Sequence, residues 1–326
     1  MKKIKKIGVL TSGGDSPGMN ACIRAVVRTA LYNDLKVYGI MEGYNGMISG
    51  KIIPMKRNSV SHILHRGGTI LKSARSMEFM TPEGRQKAYE NVKKHGLDGL
   101  IVIGGNGTFT GASVFMNEFD FPIMGAPGTI DNDLYGTDMT IGFDTALNTV
   151  MEAVDKIRDT ADSHSRLFFI EVMGRDAGFI ALRSGIACGA AEILIPETVT
   201  YIDDLIETLE EQQRNQIHSG IIIVAEGDDE GGAFAIANKV KEKYQHYDTR
   251  VTVLGHIQRG GSPSSYDRIL ASTLGYEAVN AMLSGRKGEM VGMVNKDIVY
   301  IPFEKAIKTH KIVRGEMLRM AKVLSS

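Results

Sequence analysis

Short apolar runs that stop at glycine recur along this chain. Ile7–Leu10 ends at Thr11-Ser12-Gly13-Gly14-Asp15, and Leu100–Ile103 ends at Gly104-Gly105-Asn106-Gly107-Thr108. Runs this short, with no polar alternation, read as parallel strands buried on both faces, each closed by a glycine turn. The same pattern predicts strands at Lys36–Ile40, Pro122–Ala126, Leu167–Val172, Glu192–Ile195, Gly220–Ala225, Val251–Leu254 and Val291–Val294. Helical spacing runs from Met19 to about Asn33 and, after Thr108, to about Asn117. It returns at Arg85–His95, Thr145–Thr160, Asp203–Asn215, Ala233–Tyr244 and Tyr266–Ser284. Strands alternating with helices predict an α/β fold of doubly wound, Rossmann-like units with mainly parallel sheets. Ligands of such folds bind beyond the strand C-termini, where these glycine turns lie.

With 326 residues, about 150 per domain suggests two domains. Thirty-eight Lys and Arg balance 38 Asp and Glu, a net charge of zero that argues against a duplex-binding surface but leaves room for a local anion pocket. The two cysteines, Cys22 and Cys188, make neither a disulfide framework nor a zinc spacing. The basic start, Lys2 to Lys6, leads into an apolar run too short for a signal peptide. No apolar run reaches the roughly 18 residues of a membrane span. The expected compartment is a reducing cytoplasm.

Three segments carry chemistry. Gly13-Gly14 and Gly104-Gly105 remove side-chain bulk ahead of a helix, so a phosphate could reach backbone amides and a helix N-terminus. The plain alternative for a lone pair is a tight βα turn; two such turns after two strands favour a phosphate, and no Walker-type lysine follows. Pro127-Gly128-Thr129-Ile130-Asp131-Asn132-Asp133 places two carboxylates two residues apart after a strand. One could act as a general base and the other help to hold a metal; the plain alternative is a helix-capping turn. Arg166, Arg175, Arg250, His256 and Arg259 stand at element ends, where an arginine fork suits a phosphate.

Together, Leu10–Asn20, Gly104–Gly111, Pro127–Asp133, Glu171–Arg175 and Gly255–Pro263 resemble the bacterial-type ATP-dependent 6-phosphofructokinase family, end to end and in order. The resemblance implies phosphoryl transfer from ATP to the 1-hydroxyl of fructose 6-phosphate in glycolysis, with Mg2+ and a homotetramer whose active sites are shared between subunits. It implies nucleotide contacts at Gly14, Arg75, Ser76, Gly105, Asn106, Gly107, Thr108 and Gly111. Asp131 would be the base, Thr129 and Arg175 would stabilise the transferring group, and Asn106 and Asp133 would approach the metal. Thr129, Ile130, Asp131, Met173, Gly174, Arg175, Glu226, His256, Ile257, Gln258 and Arg259 would meet the sugar phosphate. Arg166 and Arg250 would reach the 6-phosphate from a neighbouring subunit. An effector site would use Arg24, Arg28, Arg57, Arg158 and Glu192. A nucleotide domain would comprise residues 1–142 and 255–305; a sugar-phosphate domain would comprise 143–254 and 306–326, the latter a C-terminal helix.

Gly107 and Gly128 stand where pyrophosphate-dependent relatives carry Asp and Lys, and so point to ATP. Three departures stand out: Asn106 replaces an Asp, Ser76 replaces an aromatic residue, and the effector positions carry His62, Asn215 and Ile217 in place of an Asp and two lysines. The last argues against ordinary ADP activation. The competing readings are a non-catalytic regulatory paralogue, a pyrophosphate-dependent enzyme with sedoheptulose 7-phosphate as a side substrate, and the NAD-kinase and lipid-kinase group. The last of these lacks the Pro127–Asp133 and Gly255–Pro263 blocks in this form.

Overall fold

The computed structural model describes residues 4–164, 166–215, 220–244 and 248–325. The chain opens with β1 (Lys6–Thr11), α1 (Met19–Tyr32), β2 (Lys36–Ile40), α2 (Gly43–Ser49) and β3 (Ile52–Met55). There follow α3 (Pro82–Lys94), β4 (Gly99–Gly104), α4 (Asn106–Phe119), β5 (Ile123–Pro127) and α5 (Phe143–His164). Next come β6 (Arg166–Val172), α6 (Phe179–Cys188), β7 (Glu192–Leu194), α7 (Ile202–Arg214), β8 (Gly220–Ala225), α8 (Ala233–Lys243) and β9 (Asp248–Val253). The chain ends with α9 (Ser265–Leu283), β10 (Glu289–Val294), β11 (Asp297–Pro302), α10 (Phe303–Lys308) and α11 (Gly315–Ser325).

Two compact units form. The first comprises Met1–Ile130, Leu134–Thr145 and Arg259–Lys311; the second comprises Asp131–Asp133, Ala146–Gln258 and Ile312–Ser326. The first holds a seven-stranded sheet in the order β11-β10-β5-β4-β1-β2-β3, parallel except at its edges. Side chains alternate across it. Ile7, Val9, Ile101 and Ile103 pack with α1 and α9, while Leu10, Leu100 and Val102 pack with Tyr44, Phe109, Phe115 and Phe303. On the α1 side, a Cβ at Gly275 would stand 2.7 Å from the Cys22 carbonyl oxygen, so glycine lets α9 approach α1 closely. On the other, Phe109 is fully buried and stacks on Phe303 at 5.2 Å. Phe109→Ala is expected to lower unfolding free energy by roughly 3–5 kcal/mol, read from urea unfolding, because it removes a fully buried ring and leaves a cavity beside Phe303.

The second unit carries the four-stranded parallel sheet β7-β8-β6-β9. Leu167, Phe169, Ile222 and Val224 pack on Leu205, Leu209, Ile236 and Val240 of α7 and α8, and α11 packs against α6 and β7.

Every strand expected from the apolar runs is present, shifted by no more than three residues at an end. Two antiparallel edge strands were not expected. β3 contains Pro54, which an edge strand tolerates because one row of amides needs no partner. β11 returns from β10 through Asn295-Lys296, both at positive φ (52° and 73°), a two-residue hairpin whose lysine gives no turn signal. The C-terminal helix expected from about Ala306 is instead two helices, since Thr309 is extended (φ −98°, ψ 121°) and ends α10. The short helices α2 and α6 had no periodic signature; α6 is apolar nearly all round because it is largely buried. No helix among the described residues is long and apolar enough to cross a membrane.

Candidate active site

In the first unit the two glycine turns follow neighbouring strands, because β1 and β4 pair directly. They are stitched together. The Ser12 amide donates to the Ile103 carbonyl (3.0 Å), and the Thr108 hydroxyl donates to the Ser12 carbonyl (3.1 Å). A Cβ at Gly104 would stand 2.3 Å from the Thr108 hydroxyl, so only glycine fits there. Behind them the buried Tyr44 hydroxyl donates to the Thr108 carbonyl (2.6 Å). Asn106, Gly107 and Thr108 form the first turn of the 14-residue α4, where the Thr108 amide donates to the Gly105 carbonyl (3.0 Å), and the start of a helix favours an anion. Gly107 is exposed, and a Cβ there would meet nothing within 4 Å.

The other predicted nucleotide residues divide. Gly14 lies under the Arg259 guanidinium, whose Nη1 stands 2.6 Å from where its Cβ would be and donates to the Asp15 carbonyl (3.3 Å). Arg75 is exposed, and Ser76 accepts from the Phe79 amide (3.2 Å), starting a short turn. Gly111 faces Tyr44 and Phe79, rings stacked at 3.9 Å, and its lack of a side chain makes room for them. Thr129 is buried beside Gly105, whose Cβ would lie 3.6 Å from that of Thr129. Ile130 is fully buried, which leaves only its backbone for a ligand.

Asn20 was missed by sequence reasoning. Its buried amide donates to the Arg66 and Gly67 carbonyls and accepts from the Ile70 amide (2.8 Å), fastening the loop before Arg75 onto α1. A lone helical asparagine gives no signal for that role.

In the second unit, Asp131 is 4% exposed, with the Arg175 Nε 3.8 Å from one carboxylate oxygen. Asp133 is half-buried. Arg175 has positive φ (54°), a conformation rare for a long side chain; its amide donates to Glu226 Oε1 (2.7 Å), as does that of Gly174 (3.2 Å). Glu226 thus holds the backbone from which Arg175 projects. Gln258 is fully buried: its Oε1 accepts from the Met173 amide (3.2 Å) and its Nε2 donates to the Gly255 carbonyl (3.0 Å). It supports the end of β6, while His256 and Ile257 beside it are exposed.

Arg166 and Arg250 lie on the paired strands β6 and β9 and share one carboxylate. Asp248 takes the Arg166 Nε at 2.8 Å and the Arg250 Nη1 at 2.6 Å. Asp248 was also missed, although two residues before Arg250 is the same strand face.

The effector candidates fall in both units. Burial, then Arg28 and then Arg57, push the Arg24 guanidinium below its usual range, so three cations crowd in the first unit. In the second, Arg158 donates to the Cys188 and Gly189 carbonyls at the end of α6, and burial raises the carboxyl of Glu192. His62 is exposed at φ 56°, Asn215 caps α7, and Ile217 lies outside the described residues. Both cysteine thiols are free; burial raises that of Cys188 to about 11 and that of Cys22 further.

Doubly wound units, glycine turns at neighbouring strand ends, and a buried carboxylate beside an arginine define a phosphoryl-handling α/β protein. The chain belongs to the phosphofructokinase family, whose model matches residues 6–282. It is 56% identical over 325 residues to an ATP-dependent 6-phosphofructokinase 2 of Bacteroides thetaiotaomicron, covering 100% of both chains. Identity is 53% with an ATP-dependent 6-phosphofructokinase 1 of Thermus thermophilus, over 99% of this chain and 100% of the relative. Among solved structures, phosphofructokinase from Saccharomyces cerevisiae aligns at TM-score 0.88 and 40% identity, covering 93% of this chain and 45% of the yeast chain. A pyrophosphate-dependent phosphofructokinase from Marinobacter aquaeolei shares the fold at TM-score 0.84 with 23% identity, over 99% of this chain and 92% of that one.

Proposed function

We infer that this chain is an ATP-dependent 6-phosphofructokinase, transferring the γ-phosphoryl group of ATP to the 1-hydroxyl of fructose 6-phosphate. Identity of 53–56% to relatives of that name, over essentially the whole chain, carries the reading. In the proposed reaction the sugar O1–P bond forms as the bond from phosphorus to the ADP oxygen breaks, and the hydroxyl proton passes to Asp131. Such transfer depends mainly on positioning and charge neutralisation. Asp131, a buried carboxylate with the Arg175 Nε 3.8 Å from one of its oxygens, suits a base. Arg175, half-exposed and held through its amide by Glu226, suits the developing charge, as does Thr129, two residues before Asp131 in the chain.

The first unit is proposed to bind the nucleotide, with phosphates against the Gly13-Gly14 turn and the start of α4, and Arg75, Ser76, Gly105, Asn106, Thr108 and Gly111 around it. The open space at Gly107 supports ATP as donor. The sugar phosphate is proposed to meet Met173, Gly174, Glu226, His256 and Arg259. Arg166 and Arg250 would serve the 6-phosphate of a neighbouring subunit, which makes a homotetramer part of the proposal, as is a cytoplasmic location.

Mg2+ fits the oxygen donors present. That ion keeps several waters and takes one or two protein oxygens plus substrate phosphates; the Asn106 amide oxygen in the first unit and the Asp133 carboxylate in the second are each a donor of that kind. When bound, it would neutralise charge on the transferring phosphates. Asn106 brings no charge, so Asn106→Asp is expected to lower the Mg2+ concentration at half-maximal rate several-fold in a Mg2+ titration at fixed ATP; an unchanged or higher requirement would count against that role. The test of the whole reading is fructose 1,6-bisphosphate formation by the purified chain with ATP or pyrophosphate across a Mg2+ series. Product from ATP alone is expected. Product from pyrophosphate alone, or none from either, would overturn it.

A further inference from the structure

Asp267, the third residue of α9, is fully buried within the first unit. An acid at this position commonly turns back to cap its own helix. Here its carboxylate reaches across to the start of α5 instead. One oxygen accepts from the Gly142 amide (2.8 Å); the other accepts from the Thr145 amide (2.8 Å) and the Thr145 hydroxyl (2.5 Å). The exchange is reciprocal. The Thr145 hydroxyl accepts from the Ser264 amide (3.0 Å), and the Ser264 hydroxyl donates to Asp144 (2.6 Å) while accepting from the Asp267 amide (3.2 Å). Two helix N-termini therefore cap each other.

What Asp267 anchors leads straight back to the Pro127–Thr129 segment. The Ile141 amide donates to the Pro127 carbonyl (2.9 Å), Gly128 and Ile141 form a parallel β-bridge, and the Thr140 hydroxyl donates to the Thr129 carbonyl (2.6 Å). Gly18, at φ 108°, backs onto the same residue: its Cβ would lie 3.5 Å from the Asp267 carbonyl oxygen. Burial pushes the Asp267 carboxyl up to about 6, against the pull of Thr145 and Gly142 and with repulsion from Asp144. A buried carboxylate is costly, and helix capping alone needs only a surface Ser, Thr or Asp.

We propose that Asp267 is a positioning residue for phosphoryl transfer, a strut that fixes residues 140–145 and through them the backbone of Gly128 and Thr129. This rests on the functional reading above, in which Thr129 and, two residues on, Asp131 carry the chemistry. Displacement of reacting groups by about 1 Å is worth on the order of 100-fold in rate, so the strut acts on kcat more than on binding.

The experiment compares wild type, Asp267→Asn, Thr145→Val and Thr145→Ser in steady-state assays with ATP and fructose 6-phosphate, with circular dichroism and thermal unfolding alongside. In Asp267→Asn an amide NH2 must face a backbone N–H, which breaks one arm of the strut. The expected result is a kcat 10- to 100-fold lower, with both KM values within about 3-fold of wild type. Thr145→Val should lose part of kcat and Thr145→Ser should restore it, a pair that decides the matter if Asp267→Asn fails to fold. Variants with lower melting temperature and unchanged kcat would overturn the proposal and leave Asp267 a structural cap, as would a Thr145→Val defect not rescued by serine. Wild type is assayed first: if it makes no product from ATP, the functional reading itself has failed, whereas active wild type with unaffected variants removes only the strut.

Discussion

Asp131→Asn is expected to lower kcat for fructose 1,6-bisphosphate formation by about 10²- to 10⁴-fold, the range a positioned general base contributes. KM for either substrate should stay within a few-fold. Asparagine matches aspartate in shape, so the 4%-exposed site stays filled and Arg175, 3.8 Å away, loses only a loose contact. The Arg175 backbone is held by Glu226 and does not depend on the Asp131 charge. What the amide lacks is the capacity to take a proton from the attacking hydroxyl. A coupled assay across pH 6–9 reads the result; a loss below tenfold would mean that another group accepts the proton.

The second large effect concerns the donor. Gly107→Asp is expected to abolish most ATP-dependent activity, by at least about 100-fold, in a protein that folds as well as wild type. Its Cβ would meet no atom within 4 Å, and the position is exposed in the first turn of α4. An acid there interacts favourably with the helix dipole, by roughly 0.3–1 kcal/mol, so the melting temperature should hold or rise slightly. The same dipole is what the ATP phosphates are proposed to use. A carboxylate about 4 Å from a phosphate charge costs about 4 kcal/mol at an effective dielectric near 20, enough for roughly a thousandfold. Activity retained with ATP would show that the nucleotide phosphates do not lie at this helix start.

Much of this was legible because buried parallel strands write themselves as unbroken apolar runs. Ile7–Leu10 and Leu100–Ile103 located β1 and β4 together with the turns that follow them. What escaped was whatever depends on partners far apart in the chain. The hairpin at Asn295-Lys296 lacks a glycine, and β3 carries a proline, so neither edge strand looked like a strand. At the candidate site, the residues that bear charge could be named from the resemblance, but those that hold them could not. Asn20 and Asp267 matter through side-chain hydrogen bonds to groups 46 to 125 positions away, which no local pattern marks, whereas Asp248, two residues before Arg250 on one strand face, was within reach of strand alternation. Gln258 and Gly111, named from the resemblance as ligand contacts, carry in addition a backbone-holding and a ring-packing role that the motif does not announce.

The interleaving of the two units has a consequence for how the chain is made. The first unit is assembled from three stretches, the last of them Arg259–Lys311, and the second is completed only by Ile312–Ser326. During synthesis, β1, β4 and β5 leave the ribosome long before α9, the helix that packs on the buried face of α1 and in one core with Ile7 and Val9. At about 5–20 residues per second, that apolar surface stays open for on the order of ten seconds. A nascent chain arrested near residue 258 would hold neither finished core, so its fate would rest on chaperones rather than on its own folding.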